Sequence, residues 1–283
     1  MADAYDRARP SYPDAAATWL TGGAAARGSL VLELGAGTGK LTEVLVRGGQ
    51  ELVVTEPLPD MVRRLRDRLP VSPVVATAER IPMSLRSVDT VVCGQSFHWF
   101  DHDIALEEIA QVLRPGGQLS LVWNRYDTDI PWVRRFQDLI APDFGDVDDA
   151  VRPLMETPYF GFVDRATFRF WQPHTAATLA DLTRSVSYFS TLDERRQRDL
   201  LAKVDDLYAS YGRGHDGMQL PYVTHCYKAV VLHDQLPRPE PVQLTQRSAD
   251  QSTKDGDDTG PVVPAETRPD RPDDPGMQLI DFR

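Results

Sequence analysis

Short apolar runs alternate with amphipathic stretches through the first half of the chain. SLVLEL (29–34), ELVVTE (51–56), SPVVAT (72–77), VDTVVCG (88–94) and QLSLVWN (118–124) have the length and β-branched content of buried strands. Between them LTEVLVRGG, PDMVRRLRDRL and DIALEEIAQVL read as helices. In the last, Ile104, Leu106, Ile109, Val112 and Leu113 recur three or four apart near one face. Strands alternating with helices predict right-handed βαβ units and an α/β, doubly wound, parallel sheet. RPGG (114–117) is expected to close the third helix, its glycines permitting a left-handed stop and Pro115 forbidding continuation.

Beyond Asn124 the rhythm changes. PWVRRFQDLI reads as a helix, and DFGDVDDAVRPLMETPYFG as a long irregular insertion, so that 125–160 interrupts the alternation. FVDRATFRFWQ (162–172) has strand character, with Phe168, Phe170 and Gln172 alternating. Helices follow around 178–186 and 193–210, and LPYVTHCYKAVVL (220–232) reads as a final strand. The two late strands predict an antiparallel hairpin at the sheet edge. From Leu236 onward prolines are scattered among Asp, Ser, Thr and Gln, which predicts one domain over 1–235 and a disordered tail over 236–283. The end of that tail, GMQLIDFR, is apolar enough to dock, or is simply an unselected terminus.

Composition narrows the function classes. The chain has 283 residues, 41% apolar, enough for a sizeable core. A net charge of −11 argues against a partner bound mainly through phosphates, so nucleic acid is a poor expectation. The two cysteines, Cys93 and Cys226, form no C-x-x-C pair, and no histidine cluster has metal-ligand spacing. A reduced, cytoplasmic compartment and no metal are therefore expected. MADAYDRARP is charged from its third residue, unlike a secretory leader, and no apolar run is long enough to span a bilayer. The expected partner is a small molecule, and the expected state a monomer or homodimer.

ELGAGTGKLT (33–42) carries the most specific chemistry. A phosphate-binding P-loop needs G-x-x-x-x-G-K-[ST], but Leu34 stands at the first glycine position and Leu41 follows Lys40. A dinucleotide fingerprint, G-x-G-x-x-G, would place its third glycine at Lys40. What remains is an acid followed by alternate glycines, Glu33, Gly35, Gly37 and Gly39, a pattern typical of S-adenosylmethionine binding. That ligand has no pyrophosphate. It needs close backbone approach to its methionine portion and ribose, which residues without Cβ allow, and its ammonium and sulfonium suit a nearby acid. Glu56, ending the second strand, is placed to accept from both ribose hydroxyls, although an acid there fits NAD as well.

With these residues in hand, the chain resembles class I S-adenosylmethionine-dependent methyltransferases. It is most similar to the small-molecule group with a type 11 domain that includes trans-aconitate methyltransferase-like enzymes. The resemblance runs from about Tyr5 to Leu232 and rests on YDRARPSYP, LELGAGTGKLT, TAERIP, QSFHWFD, LRPGG and VWN in that order. It implies a Rossmann-like, three-layer, seven-stranded sheet, mostly parallel, with an antiparallel last strand. It also implies that Gly35, Gly37 and Gly39 line the methionine portion and that Glu56 holds the ribose. Thr77, Ala78 and Glu79 would follow the adenine. Related enzymes often have Asp at the position of Thr77, while Ala78 still offers its backbone N–H. Leu58 and Met61 would be an apolar wall beside adenine or simply core.

Methyl transfer is an in-line displacement, so alignment does most of the work and can lower the barrier by roughly 7–11 kcal/mol. In open α/β sheets ligands bind beyond the carboxyl ends of the strands, where QSFHWFD and WNRYD fall. His98 is the candidate general base for a hydroxyl acceptor; a carboxylate acceptor needs none. Gln95 is a candidate cofactor contact, and Ser96 and Trp99 are candidate substrate contacts. YDRARPSYP is expected to fold back over the site, bringing Tyr5 and Arg9 to cofactor or substrate. Trp123, Asn124 and Arg125 would form a second wall, joined by Tyr188. The reading is methylation of a small organic molecule at oxygen. Methylation at carbon or nitrogen, a non-catalytic S-adenosylmethionine-binding protein and, more weakly, an NAD-dependent oxidoreductase stand as alternatives.

Overall fold

The computed structural model describes residues 9–22, 29–142, 145–212 and 217–236. Tyr5 and nearly all of the Pro/Asp-rich tail lie outside the described residues; Leu236, the last of them, packs against the core. Seven strands form one sheet: β1 (Leu30–Leu34), β2 (Glu51–Glu56), β3 (Val74–Val75), β4 (Val88–Gly94), β5 (Leu113–Tyr126), β6 (Asp164–His174) and β7 (Met218–Val230). Their order is β3-β2-β1-β4-β5-β7-β6. The first five are parallel, and β7 runs antiparallel to both of its neighbours. The late strands do pair, yet not as a hairpin: three helices separate them, and β7 inserts between β5 and β6, leaving β6 at the edge.

Alternation along each central strand sends side chains to two helical layers. Val31, Val92, Val122 and Cys226 pack under α1 (Asp14–Leu20) and α2 (Lys40–Arg47). Leu32, Val91, Cys93, Leu121 and Trp123 face the opposite way, toward α4 (His102–Val112) and α6 (Val147–Glu156). Trp123, expected as a substrate wall, is thus a core residue, edge-on to Tyr227 with ring centroids 6.1 Å apart. Between α2 and α4 lies α3 (Pro59–Arg68), opened by proline at its first position, where a missing N–H costs nothing.

A third cluster sits at the carboxyl end of β5 and β6. It joins Val133, Phe136 and Ile140 of α5 (Pro131–Ile140), Leu179 and Leu182 of α7 (Ala176–Arg184), and Leu200, Val204 and Leu207 of α9 (Glu194–Tyr211) to the first half of β7. The short α8 (Ser187–Thr191) links the last two helices.

Two local expectations are corrected. The segment read as irregular contains α6, capped by Asp146 and buried through Val147, Val151 and Leu154 at helical spacing. RPGG does not cap α4 directly. Leu113 is already extended and pairs with Val88, and Gly116 adopts φ 81° within a bulge that ends where Gln118 meets Thr90.

Candidate active site

The glycine loop leaves β1 and enters α2, with Gly35, Gly37 and Gly39 at φ 68°, 56° and 85°. Such angles favour glycine throughout, but the surroundings differ. A Cβ on Gly35 would lie 2.7 Å from Ser96 Cβ, and one on Gly39 would lie 2.2 Å from Leu65 Cδ1. Beside Gly37 no atom of the described residues lies within 4 Å. The outer two glycines let the loop pack on the protein, and the middle one leaves room for a ligand.

Glu56 stands at that opening. Its carboxylate accepts from the Gly37 N–H at 2.8 Å and from the Leu58 N–H at 3.1 Å. Each oxygen keeps a lone pair, so the group can still accept from a ribose diol. Glu33 is fully buried below the loop and accepts from Thr42 Oγ1 at 2.7 Å. Burial pushes its carboxyl up to about 8, with the Thr42 bonds pulling down and the Glu56 charge adding a smaller upward push. A cation at the loop would favour its ionised form. The residues present therefore fit a ligand with a diol and a cationic end.

The segment after β3 is less open. Thr77 is exposed and Ala78 is buried in the core. Glu79 accepts from the Asp101 N–H at 2.9 Å, at the entry to α4, so its carboxylate already organises a helix start.

At the end of β4, Gln95 takes the left-handed conformation at φ 52°, and its N–H donates to Val122 O at 2.9 Å. A non-glycine residue there carries roughly 1–2 kcal/mol of strain, a feature that clusters at functional sites. Burial raises the pKa of the Tyr12 phenol, and the Gln95 side chain lowers it. Ser96 is buried and donates to Leu34 O at 2.8 Å, tying β4 to β1. His98 is partly buried in a short 3-10 turn, Phe97–Trp99. Burial lowers its pKa, and the Arg125 and His102 charges lower it further, which keeps the imidazole neutral at pH 7. Trp99 rests on it at 4.8 Å between ring centroids and is 42% exposed at the rim.

The N-terminal arm does cross this edge. Asn124 Nδ2 donates to Ser11 O at 2.9 Å while its Oδ1 accepts from Thr224 Oγ1 at 2.7 Å. Asn124 is thus a clasp between arm, β5 and β7, with both ends of its amide engaged. Arg9 reaches Ser185 O at 2.7 Å, beyond the end of α7. Tyr188, 37% exposed on α8, lies three residues further along the same connection. Arg9 also bears electrostatically on Tyr12, Tyr126 and Tyr222, which sequence reading did not assign. Tyr12 and Tyr126 stand inside the motifs RPSYP and WNRYD; nothing local marks Tyr222.

A cavity of about 440 Å³ lies beside this edge, lined by Arg125, Asp148, Arg165, His225 and Tyr227 among others. None of its walls comes from the glycine loop or from residues 95–100, and its Arg165 and Tyr227 both engage Asp148. It is not the cofactor site.

Comparison with known proteins agrees with the geometry. A methyltransferase domain model matches residues 32–121. An uncharacterized methyltransferase of Mycobacterium tuberculosis is 42% identical over 232 residues, covering 81% of this chain and 93% of its own. An uncharacterized methyltransferase-like protein of Schizosaccharomyces pombe is 33% identical, covering 80% and 91%. Among solved structures, a candidate type II methyltransferase from Anaeromyxobacter dehalogenans shares the fold, with a TM-score of 0.60 at 24% identity over 78% of this chain and 97% of that one. Glycine loop, ribose acid, sheet order and relatives converge: the chain belongs to the class I S-adenosylmethionine-dependent methyltransferases, and S-adenosylmethionine is its cofactor.

Proposed function

We propose that this enzyme methylates a small organic molecule at oxygen, on a carboxylate or a hydroxyl. The observation that carries the reading is the arm held across the carboxyl edge by Asn124–Ser11 and Arg9–Ser185. A covered edge suits an acceptor small enough to lie beneath the arm, and the acidic chain disfavours a polyanion. The domain organisation proposed with it is a catalytic domain over 1–235, residues 1–13 serving as its lid, followed in sequence by a Pro/Asp-rich tail over 236–283.

The cofactor supplies an electrophilic methyl carbon on a positive sulfur. The chain binds and orients: Gly37 leaves space, Glu56 holds the diol, and Glu33 lies under the loop with Gln95 and Ala78 as further contacts. The arm and Trp99 keep water from the acceptor. For a hydroxyl acceptor, neutral His98 takes the proton at an imidazole nitrogen. For a carboxylate acceptor no proton moves.

Incubating the protein with S-adenosylmethionine and small acids, phenols, alcohols and amines, with mass spectrometry locating the added methyl, tests this. An O-methyl product is expected. Exclusive methylation at carbon or nitrogen, or cofactor binding without turnover of any acceptor, would refute the reading. His98→Gln separates the acceptor types: kcat/KM falls about 10²–10⁴-fold for a hydroxyl and less than roughly tenfold for a carboxylate, with cofactor affinity unchanged in both.

A further inference from the structure

Resting on the O-methylation reading, we propose that Tyr126 and Tyr222, together with Arg9, form an acceptor subsite that binds a carboxylate and so makes the enzyme a carboxyl methyltransferase. Neither tyrosine is part of any motif that marks the family in this chain.

The two phenols are register partners across β5 and β7, with ring centroids 5.2 Å apart. Phe170 of β6 stacks on Tyr222 at 5.2 Å, and Phe136 of α5 meets Tyr126 edge-on at 5.6 Å, so both rings are fixed in place. Arg9 arrives from the arm and is anchored on Ser185 O, and its charge favours the ionised form of both phenols and of Tyr12. The three chain segments meet at the carboxyl edge, one strand from Gln95, where an acceptor must approach the cofactor.

The chemistry of the cluster is one-sided. A guanidinium only donates, and burial pushes the Tyr126 phenol up to about 12 and Tyr222 well above its ordinary value, so both keep their protons at physiological pH. The nearby carboxylate of Asp127 is turned to Arg169, 3.3 Å away. Tyr222 therefore has a donor to offer whatever occupies the cluster.

Tyr222 carries the argument furthest. It is 2% exposed, and its hydroxyl has no hydrogen-bond partner among the described residues. Burial raises its pKa, and the neighbouring Tyr126 phenol raises it further. A buried donor without a partner costs the folded state free energy, and such groups in native proteins call for an explanation. A carboxylate oxygen supplies one: it accepts from Tyr222 and lies in the field of Arg9. The other oxygen then uses a lone pair to bond the methyl carbon as the carbon–sulfur bond breaks, the pair staying on sulfur. Carboxylate and sulfonium charges disappear together, leaving an ester and a thioether, and no base is required.

The test is acceptor-probe binding to protein saturated with S-adenosylhomocysteine, read by thermal shift and calorimetry. The probes are benzoate, succinate and citrate, each against its neutral amide. At least one carboxylate is expected to bind while its amide does not, and Tyr222→Phe weakens that carboxylate at least tenfold without altering S-adenosylhomocysteine affinity. Because the hydroxyl has no partner among the described residues, Tyr222→Phe without acceptor should melt at or above the wild-type temperature, whereas a structural hydroxyl would lower it. No carboxylate binding up to 10 mM (about the limit of roughly millimolar affinity), or carboxylate binding unchanged in Tyr222→Phe, overturns the subsite. An enzyme that methylates phenols or alcohols and ignores every acid would sink this inference and leave O-methylation standing. Methylation only at carbon or nitrogen would sink both.

Discussion

Gly37 and Gly39 stand two positions apart in one loop and carry opposite liabilities. A methyl group at Gly39 meets Leu65 at 2.2 Å, so Gly39→Ala must displace α3 or the loop, on top of the cost of φ 85°. A methyl group at Gly37 meets no atom of the described residues within 4 Å and stands where the ligand must come. Gly37→Ala should therefore lose about 1–2 kcal/mol of stability from the backbone alone, and Gly39→Ala clearly more, in urea unfolding. Cofactor affinity divides the other way in calorimetry: Gly37→Ala loses at least tenfold relative to its small change in stability. Equal stability losses would show that the two glycines serve the same purpose. The motif itself was legible in the sequence, because Leu34 and Leu41 break the P-loop pattern and an acid with alternate glycines remains. What each glycine touches was not, since Ser96 and Leu65 come from elements far along the chain. The same limit hid Asn124, whose polar end suggested a substrate contact but whose partners are Ser11 and Thr224.

The N-terminal arm and α1 depend on that clasp at the scale of elements. Asn124→Ala removes two hydrogen bonds and leaves the Ser11 carbonyl and the buried Thr224 hydroxyl without a partner. Unfolding free energy should drop by about 2–4 kcal/mol. Amide hydrogen exchange should accelerate in residues 11–20 before it does in the sheet, because the arm then opens locally. Uniform acceleration throughout the domain would mean that arm and sheet open together. Strands β1, β2, β4 and β5 were readable from apolar runs, and β6 and β7 from alternation. Helix α6 was not. Gly145 and Pro153 look like breakers, yet Gly145 lies before the Asp146 cap, and Pro153 stands inside the helix, where the bond its missing N–H forfeits is offset by burial of Val147, Val151 and Leu154.

For the whole molecule, two buried groups titrate in opposite senses. Glu33 has its pKa raised from 4.5 to about 8, so its contribution is fully present below 4.5 and is lost as pH rises through 8. His174, buried at the end of β6, has its pKa lowered from 6.5 to about 4, chiefly by burial. Its contribution is present above 6.5 and is lost as pH falls through 4. The cofactor-free protein should thus be most stable between these limbs, each group adding a slope of at most about 1.4 kcal/mol per pH unit. Urea midpoints measured from pH 4 to 9 should show Glu33→Gln flattening the alkaline limb and His174→Gln the acid limb. Slopes parallel to wild type in either variant would remove that group from the account.

The insertion of β7 between β5 and β6 also sets an order of assembly during synthesis. The ribosome delivers the glycine loop, Glu56 and the parallel strands first, and these can close into a cofactor-ready half while the remainder is still being made. Thr224, which completes the Asn124 clasp, follows 100 residues later, and Tyr222 arrives with it. Until then β5 and β6 both expose bare edges, inviting other strands. A nascent chain would grasp its methyl donor before it could accept anything to methylate, with the acceptor side the last part of the machine to be finished.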